Sequence, residues 1–315
     1  MNIAMEKLKE FFKRDQYARH SGIELVSVSP GHALARIRRT MMSHEVDLSF
    51  LDTPEVLGLI FYPRKDFAAF GAGTVHFIDV GEGVRIGCRF YTAGKDFPSL
   101  LYFHGNGETA GDYEDVAPLF NRLGINLFVA DYRGYGLSSG RPTVTNLLHD
   151  AHPVFRGFQE IVKKENCRER YFLMGRSLGS VPAVELAYHY QDEIRGLIVE
   201  SGGANLVARL LHLSGIEMTD VPTHRLEEAS NREKIRHVHT PTLVIHAEYD
   251  MLIPLEEGRA LYDASAAADK QLFIVPGADH NDLWQVGGES YYGTIGEFVK
   301  DHSSSHLSAP DRGEE

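Results

Sequence analysis

From residue 74 onward the chain alternates short apolar runs with longer amphipathic stretches, and few folds accommodate that alternation. "SLLYF", "NLFVADY", "RYFLM", "GLIVE", "TPTLVIH" and "QLFIV" carry their apolar residues consecutively rather than at every second position, as strands buried on both faces of a parallel sheet do. Ahead of them, "TVHFIDV" and "VRIGCRFYTA" flank the turn Gly81-Glu82-Gly83 and read as an antiparallel hairpin. Stretches 112–123, 143–165, 178–190, 255–266 and 289–300 have the spacing and length of crossover helices. The expected fold is α/β, a mostly parallel eight-stranded sheet flanked by helices.

The 315 residues leave room for one large domain, expected over 41–302, with extensions at both ends. Residues 1–40 read as an amphipathic helix with Leu8, Phe11 and Phe12 on one face, followed by a β-hairpin: "GIELVSVS", a Pro30-Gly31 turn and "HALARIRR". A piece this small holds no core of its own, so its apolar face must dock on the main domain or on a second chain. A homodimer built partly by this segment is expected. The longest connection between strands, about 202–240, reads as a short lid with helices of its own. Its Leu206, Leu210, Leu211 and Leu213 form either an apolar wall or the face that seals a lid helix to the core. The tail 303–315 has almost no apolar residues and is expected to be disordered.

Composition excludes several classes. A net charge of -12 with no long Lys/Arg cluster argues against nucleic-acid binding, while 43% hydrophobic and 24% charged residues are ordinary for a soluble globular protein. The opening "MNIAMEKLKEFFKRD" is charged where a secretory signal is apolar, and no run approaches the roughly 20 apolar residues of a spanning helix. A cytoplasmic protein without a membrane span is expected. Cys88 and Cys167 lack metal-ligand spacing and read as core thiols, and the chemistry below needs neither metal nor cofactor.

That chemistry centres on "GRSLGS". Ser177 follows an apolar strand and precedes the helical "LGSVPAVELAYHY", so it sits on a strand-to-helix turn where Gly175 and Gly179 let strand and helix approach. A serine attacks only when a base takes its proton and a carboxylate orients that base. "AEYD" after the strand "TLVIH" ends in Asp250, and "GADH" after "LFIVP" ends in His280, giving the chain order Ser, Asp, His. Glu248, Asp279 and Asp282 are rivals for the acid. "LLYFHGNGE" supplies an oxyanion hole: the backbone N–H of Asn106, with that of Leu178 just after the nucleophile. His104 is read as bracing that loop.

"FHGNGE", "DYRGYGLSSG", "GRSLGS", "HAEYDMLIP" and "GADHNDL", in this order over roughly residues 45–300, resemble the α/β-hydrolase superfamily. The likeness is greatest to serine hydrolases grouped with bacterial esterases and serine aminopeptidase-like proteins. The extra Gly-Pro that proline iminopeptidases carry before the oxyanion loop is absent. A serine stands where haloalkane dehalogenases have aspartate. The resemblance implies a serine hydrolase cleaving a small-molecule ester through an acyl-enzyme. Its alternatives are an acyl-CoA thioesterase or an amidase or aminopeptidase-like hydrolase; a non-catalytic binding protein of the same fold is disfavoured by the complete set of Ser177, Asp250 and His280. "FFKRDQYARHSGIELVSVSPGHALARIRRT" resembles the start of hotdog-fold thioesterases, without that family's catalytic segment.

Overall fold

A computed structural model describes residues 23–29, 32–37, 46–66, 71–213 and 222–303. The expected N-terminal helix, residues 214–221 of the lid and the tail from 304 lie outside the described residues. The chain divides into two units, Met1–Val46 and Asp47–Glu315. In the first, β1 (Ile23–Ser29) and β2 (His32–Ile37) pair antiparallel, with a register shift between Leu25 and Ser27.

The second unit runs α1 (Pro54–Ile60), β3 (Thr74–Asp79), β4 (Arg85–Tyr91), β5 (Ser99–Phe103), α2 (Ala117–Arg122), β6 (Asn126–Ala130), α3 (Val144–His149), α4 (Ala151–Lys164), β7 (Tyr171–Arg176), α5 (Ser180–Tyr190), β8 (Ile194–Glu200), α6 (Leu206–Leu213), α7 (Thr223–Glu228), α8 (Asn231–Ile235), β9 (Thr242–Ala247), α9 (Leu255–Ala264), β10 (Lys270–Val275) and α10 (Leu283–Ser303). Strands β3 to β10 form one sheet in the order β10-β9-β8-β7-β5-β6-β4-β3. The strands from β5 onward are parallel, and β4 and β3 add antiparallel at one edge. Every residue of β5, β6, β7 and β9 is buried, which is why their sequences read as unbroken apolar runs.

Helices cover both faces. Phe158 of α4 meets Phe128 and Tyr171 of the sheet edge-on, while Phe120 of α2 and Phe298 of α10 meet Tyr102 and Phe172. Between β5 and β7 the order of connection reverses, and in such sheets the crevice at the carboxyl ends of the strands beside that point receives ligands.

Two expected helices are each two pieces. Residues 112–123 comprise a 3-10 turn, Ala110–Tyr113, and α2. Residues 143–165 break at Asp150, because Pro153 has no N–H to offer His149 and its ring crowds that carbonyl. Asp150 uses the break to accept two hydrogen bonds from Arg133, at 2.7 and 2.9 Å. The final helix starts before residue 289 and is kinked at Gly288, whose φ of 47° lies in the left-handed region. In the lid, Leu206 and Leu211 are buried, so this face of α6 seals against the body of the unit.

Candidate active site

The strand ends of β5, β7, β9 and β10 bring four loops together. At the end of β7 the backbone turns within a 3-10 turn, Ser177–Gly179, and Ser177 takes a φ of 51°, a left-handed conformation that costs a non-glycine residue energy. The flanking glycines provide room: a Cβ on Gly175 would lie 2.1 Å from the Gly179 carbonyl oxygen, and one on Gly179 would lie 2.0 Å from that of Phe103. Ser180 Oγ donates to the Ser177 carbonyl at 2.7 Å, and Asn231 at the start of α8 donates to Ser180 Oγ at 3.0 Å, tying the lid to this turn.

Ser177, His280 and Asp250 form one hydrogen-bonded line. His280 Nε2 lies 3.0 Å from Ser177 Oγ, and His280 Nδ1 lies 2.7 Å from Asp250 Oδ2. All three are buried. The other oxygen of Asp250 accepts from the Leu252 and Ile253 N–H groups at 3.0 and 2.7 Å, which fixes the carboxylate. Burial works against its charge, but the His280 hydrogen bond and charge and the Ile253 amide outweigh it and hold its pKa below the ordinary range. Buried His246 of β9 hydrogen-bonds through Nε2 to the Ile253 carbonyl at 2.8 Å, and burial lowers its pKa.

The rival acids make turns instead. Glu248 accepts from the Gly277 N–H, Asp282 from that of Asp279, and Asp279 from that of Asn281.

In the loop after β5, the Asn106 side chain is an anchor. Its Oδ1 accepts from the Tyr62 N–H and the Tyr135 hydroxyl at 3.0 and 2.6 Å, and its Nδ2 donates to the Ile60 carbonyl at 2.6 Å. The backbone N–H groups of Asn106, three residues past β5, and of Leu178, in the turn of Ser177, are the candidates to hold an oxyanion. Buried His104 lies 2.8 Å from the Gly105 carbonyl through Nδ1 and 3.3 Å from Asp131 through Nε2, so it braces the loop.

Sequence reasoning missed Arg176. Its buried guanidinium meets Glu108, Glu200 and the His280 carbonyl. A cavity of about 120 Å³ opens beside it, lined also by Tyr102, Tyr113, Trp284 and Tyr291. Elsewhere, His152 of α4 and Glu185 and His189 of α5 bring one potential ligand atom each within 4.8 Å of one another. There Lys234 Nζ, 2.5 Å from Glu185 Oε2, already supplies the positive charge.

A family model described as serine aminopeptidase, S33, matches residues 96–228. Human alpha/beta hydrolase domain-containing protein 17B is 30% identical over 223 residues, covering 69% of this chain and 72% of the relative. The mouse 17C protein is 31% identical over 217 residues, covering 66% of this chain and 62% of the relative, so the chain spans less than two thirds of that protein. The Pyrococcus furiosus esterase Pf2001 superposes with a TM-score of 0.62 at 19% identity, over 76% of this chain and 98% of its own. The hotdog likeness of residues 1–40 finds no support in these matches. No helix among the described residues is long and apolar enough to cross a membrane.

Proposed function

The chain belongs to the α/β-hydrolase superfamily, and from that premise we propose that it is a hydrolase that cleaves carboxylic esters through an acyl-enzyme intermediate. One observation carries the reading: the unbroken line from Ser177 Oγ through both ring nitrogens of His280 to Asp250. His280 donates its Nδ1–H to Asp250, which leaves the Nε2 lone pair facing the serine hydroxyl. As Ser177 Oγ bonds to the ester carbonyl carbon, its proton passes to Nε2, and Asp250 stabilises the imidazolium. The carbonyl oxygen takes the electron pair and is held by the N–H groups of Asn106 and Leu178. Collapse of this intermediate breaks the bond to the alcohol oxygen, which leaves with the proton from Nε2. A water molecule then gives its proton to His280 and attacks the acyl-serine, and the same steps in reverse release the acid.

The loop that carries Asp250 also supports an acyl substrate. Tyr249 and Met251 are 61% and 88% exposed, and Leu252 is exposed beside them, an apolar rim next to a polar site. The discriminating test is a panel of p-nitrophenyl esters of increasing acyl length set beside acyl-CoA and aminoacyl amides. Turnover confined to the thioesters or the amides would replace the ester reading. The segment 1–40 is proposed to contribute a homodimer contact; an unchanged oligomeric state in solution after its deletion would refute that.

A further inference from the structure

We propose that Arg176 is the positioning residue of this site: its single guanidinium sets the nucleophile turn, the loop of the base and the oxyanion loop in register with one another. The inference rests on the serine-hydrolase reading above. Arg176 is the last residue of β7 and directly precedes Ser177. Its side chain is only 7% exposed, and each nitrogen of its fork faces a different element. Nη2 donates to the backbone carbonyl of His280 at 2.7 Å, fixing the residue that carries the base. Nη1 contacts Glu108 Oε1. The other oxygen of Glu108 accepts from the Gly105 N–H at 2.9 Å and the Tyr113 hydroxyl at 2.6 Å, so Arg176 reaches the oxyanion loop through one carboxylate. Nε lies 3.4 Å from Oε1 of Glu200, its register partner on the adjacent parallel strand β8.

The charges are arranged to keep the guanidinium in place. Burial works against the Glu108 charge, but Arg176, the Tyr113 hydroxyl, His104 and the Gly105 amide together hold its carboxyl below the ordinary range. Glu200 is held by the hydroxyls of Tyr102 and Tyr291 at 3.2 and 2.9 Å. A planar fork with donors on three nitrogens can meet acceptors in three directions, whereas a lysine ammonium is a point charge on a flexible stem and cannot hold all three. A backbone shift of the His280 loop by about 1 Å is enough to lower a rate about a hundredfold.

The test uses the full chain with Arg176→Lys and the charge-balanced pair Arg176→Gln/Glu108→Gln, each checked for folding by near-ultraviolet circular dichroism. Two readouts are taken: kcat and KM on the best ester of the panel, and the second-order rate of Ser177 labelling by a fluorophosphonate. The expected result is folded protein whose kcat and labelling rate both fall about a hundredfold, with KM within about threefold of the parent. A parent that labels but turns over no ester would end the ester reading and still report on Arg176 through the labelling rate. Full activity in Arg176→Lys would overturn the proposal, because charge alone would then suffice. A change confined to KM, or to thermal stability, would overturn it as well.

Discussion

His280 Nε2 stands 3.0 Å from Ser177 Oγ although 103 positions separate the two residues in the chain. Sheet order accounts for the encounter. β7, β8, β9 and β10 lie side by side and parallel, so the loops at their carboxyl ends open on the same edge of the sheet. Chemistry at this edge depends on loop geometry that the sheet imposes, and each part of that geometry can be probed.

The acid is tested by contrast. Asp250→Asn keeps the shape, but its oxygen stays with the Leu252 and Ile253 N–H groups and its NH2 then faces His280 Nδ1, which forces the wrong tautomer, and ester kcat is expected to fall by about 10⁴-fold. Glu248→Gln removes only a charge from an exposed turn contact and should stay within about threefold of the parent. The opposite ranking in steady-state assays would transfer the role to Glu248.

The turn itself is tested by Gly179→Ala. Its φ of −64° is ordinary for any residue, so this glycine is present for room: an added Cβ meets the backbone of Phe103 at 2.0 Å. Separating β5 from the nucleophile turn should cost about 3 kcal/mol in urea unfolding and should lower kcat as well. A midpoint equal to that of the parent would mean the turn relaxes without strain.

The attachment of the lid has a pH signature. Glu185 of α5 is buried against Lys234 of α8, with His152 and His189 facing the same carboxylate. Burial opposes its charge, yet Lys234 and the two imidazoles hold its pKa well below the ordinary range. The folded state therefore keeps Glu185 ionised where the unfolded chain takes up a proton. Its contribution is complete above the unfolded value of about 4.3 and is lost as pH falls through the depressed folded value. Glu185→Gln at neutral pH leaves Lys234 buried without its partner and should cost about 3 kcal/mol; Glu185→Gln/Lys234→Met should recover most of that. The difference between parent and Glu185→Gln should narrow as pH falls below about 4. A difference that widens there would contradict the ionised pair.

Much of this architecture was legible because burial on both faces of a strand leaves a one-dimensional trace. "SLLYF" is β5 residue for residue, and the small neighbours of Ser177 mark its turn. The oxyanion candidates were legible as backbone positions, whereas the anchoring of the Asn106 side chain by Tyr62 and Tyr135 was not, since those partners come from distant loops. The position of Asp250 at the end of "AEYD" already favoured it over Glu248, but the reason was not legible: the amides of Leu252 and Ile253 fix only one of these two carboxylates beside His280. Arg176 left no trace, because its significance depends on strand register with Glu200 and on loops 68 and 104 residues away. The helix break at Asp150 had a visible cause in Pro153.

The central claim is that Ser177 is the nucleophile, and the most direct measurement is mass spectrometry of the intact protein and its peptides after treatment with a fluorophosphonate. The account predicts one adduct per chain, located on the peptide containing Ser177 and absent from Ser177→Ala. That variant should fold normally and lose ester turnover by several orders of magnitude. An adduct on another serine, or Ser177→Ala activity within about tenfold of the parent, would contradict it.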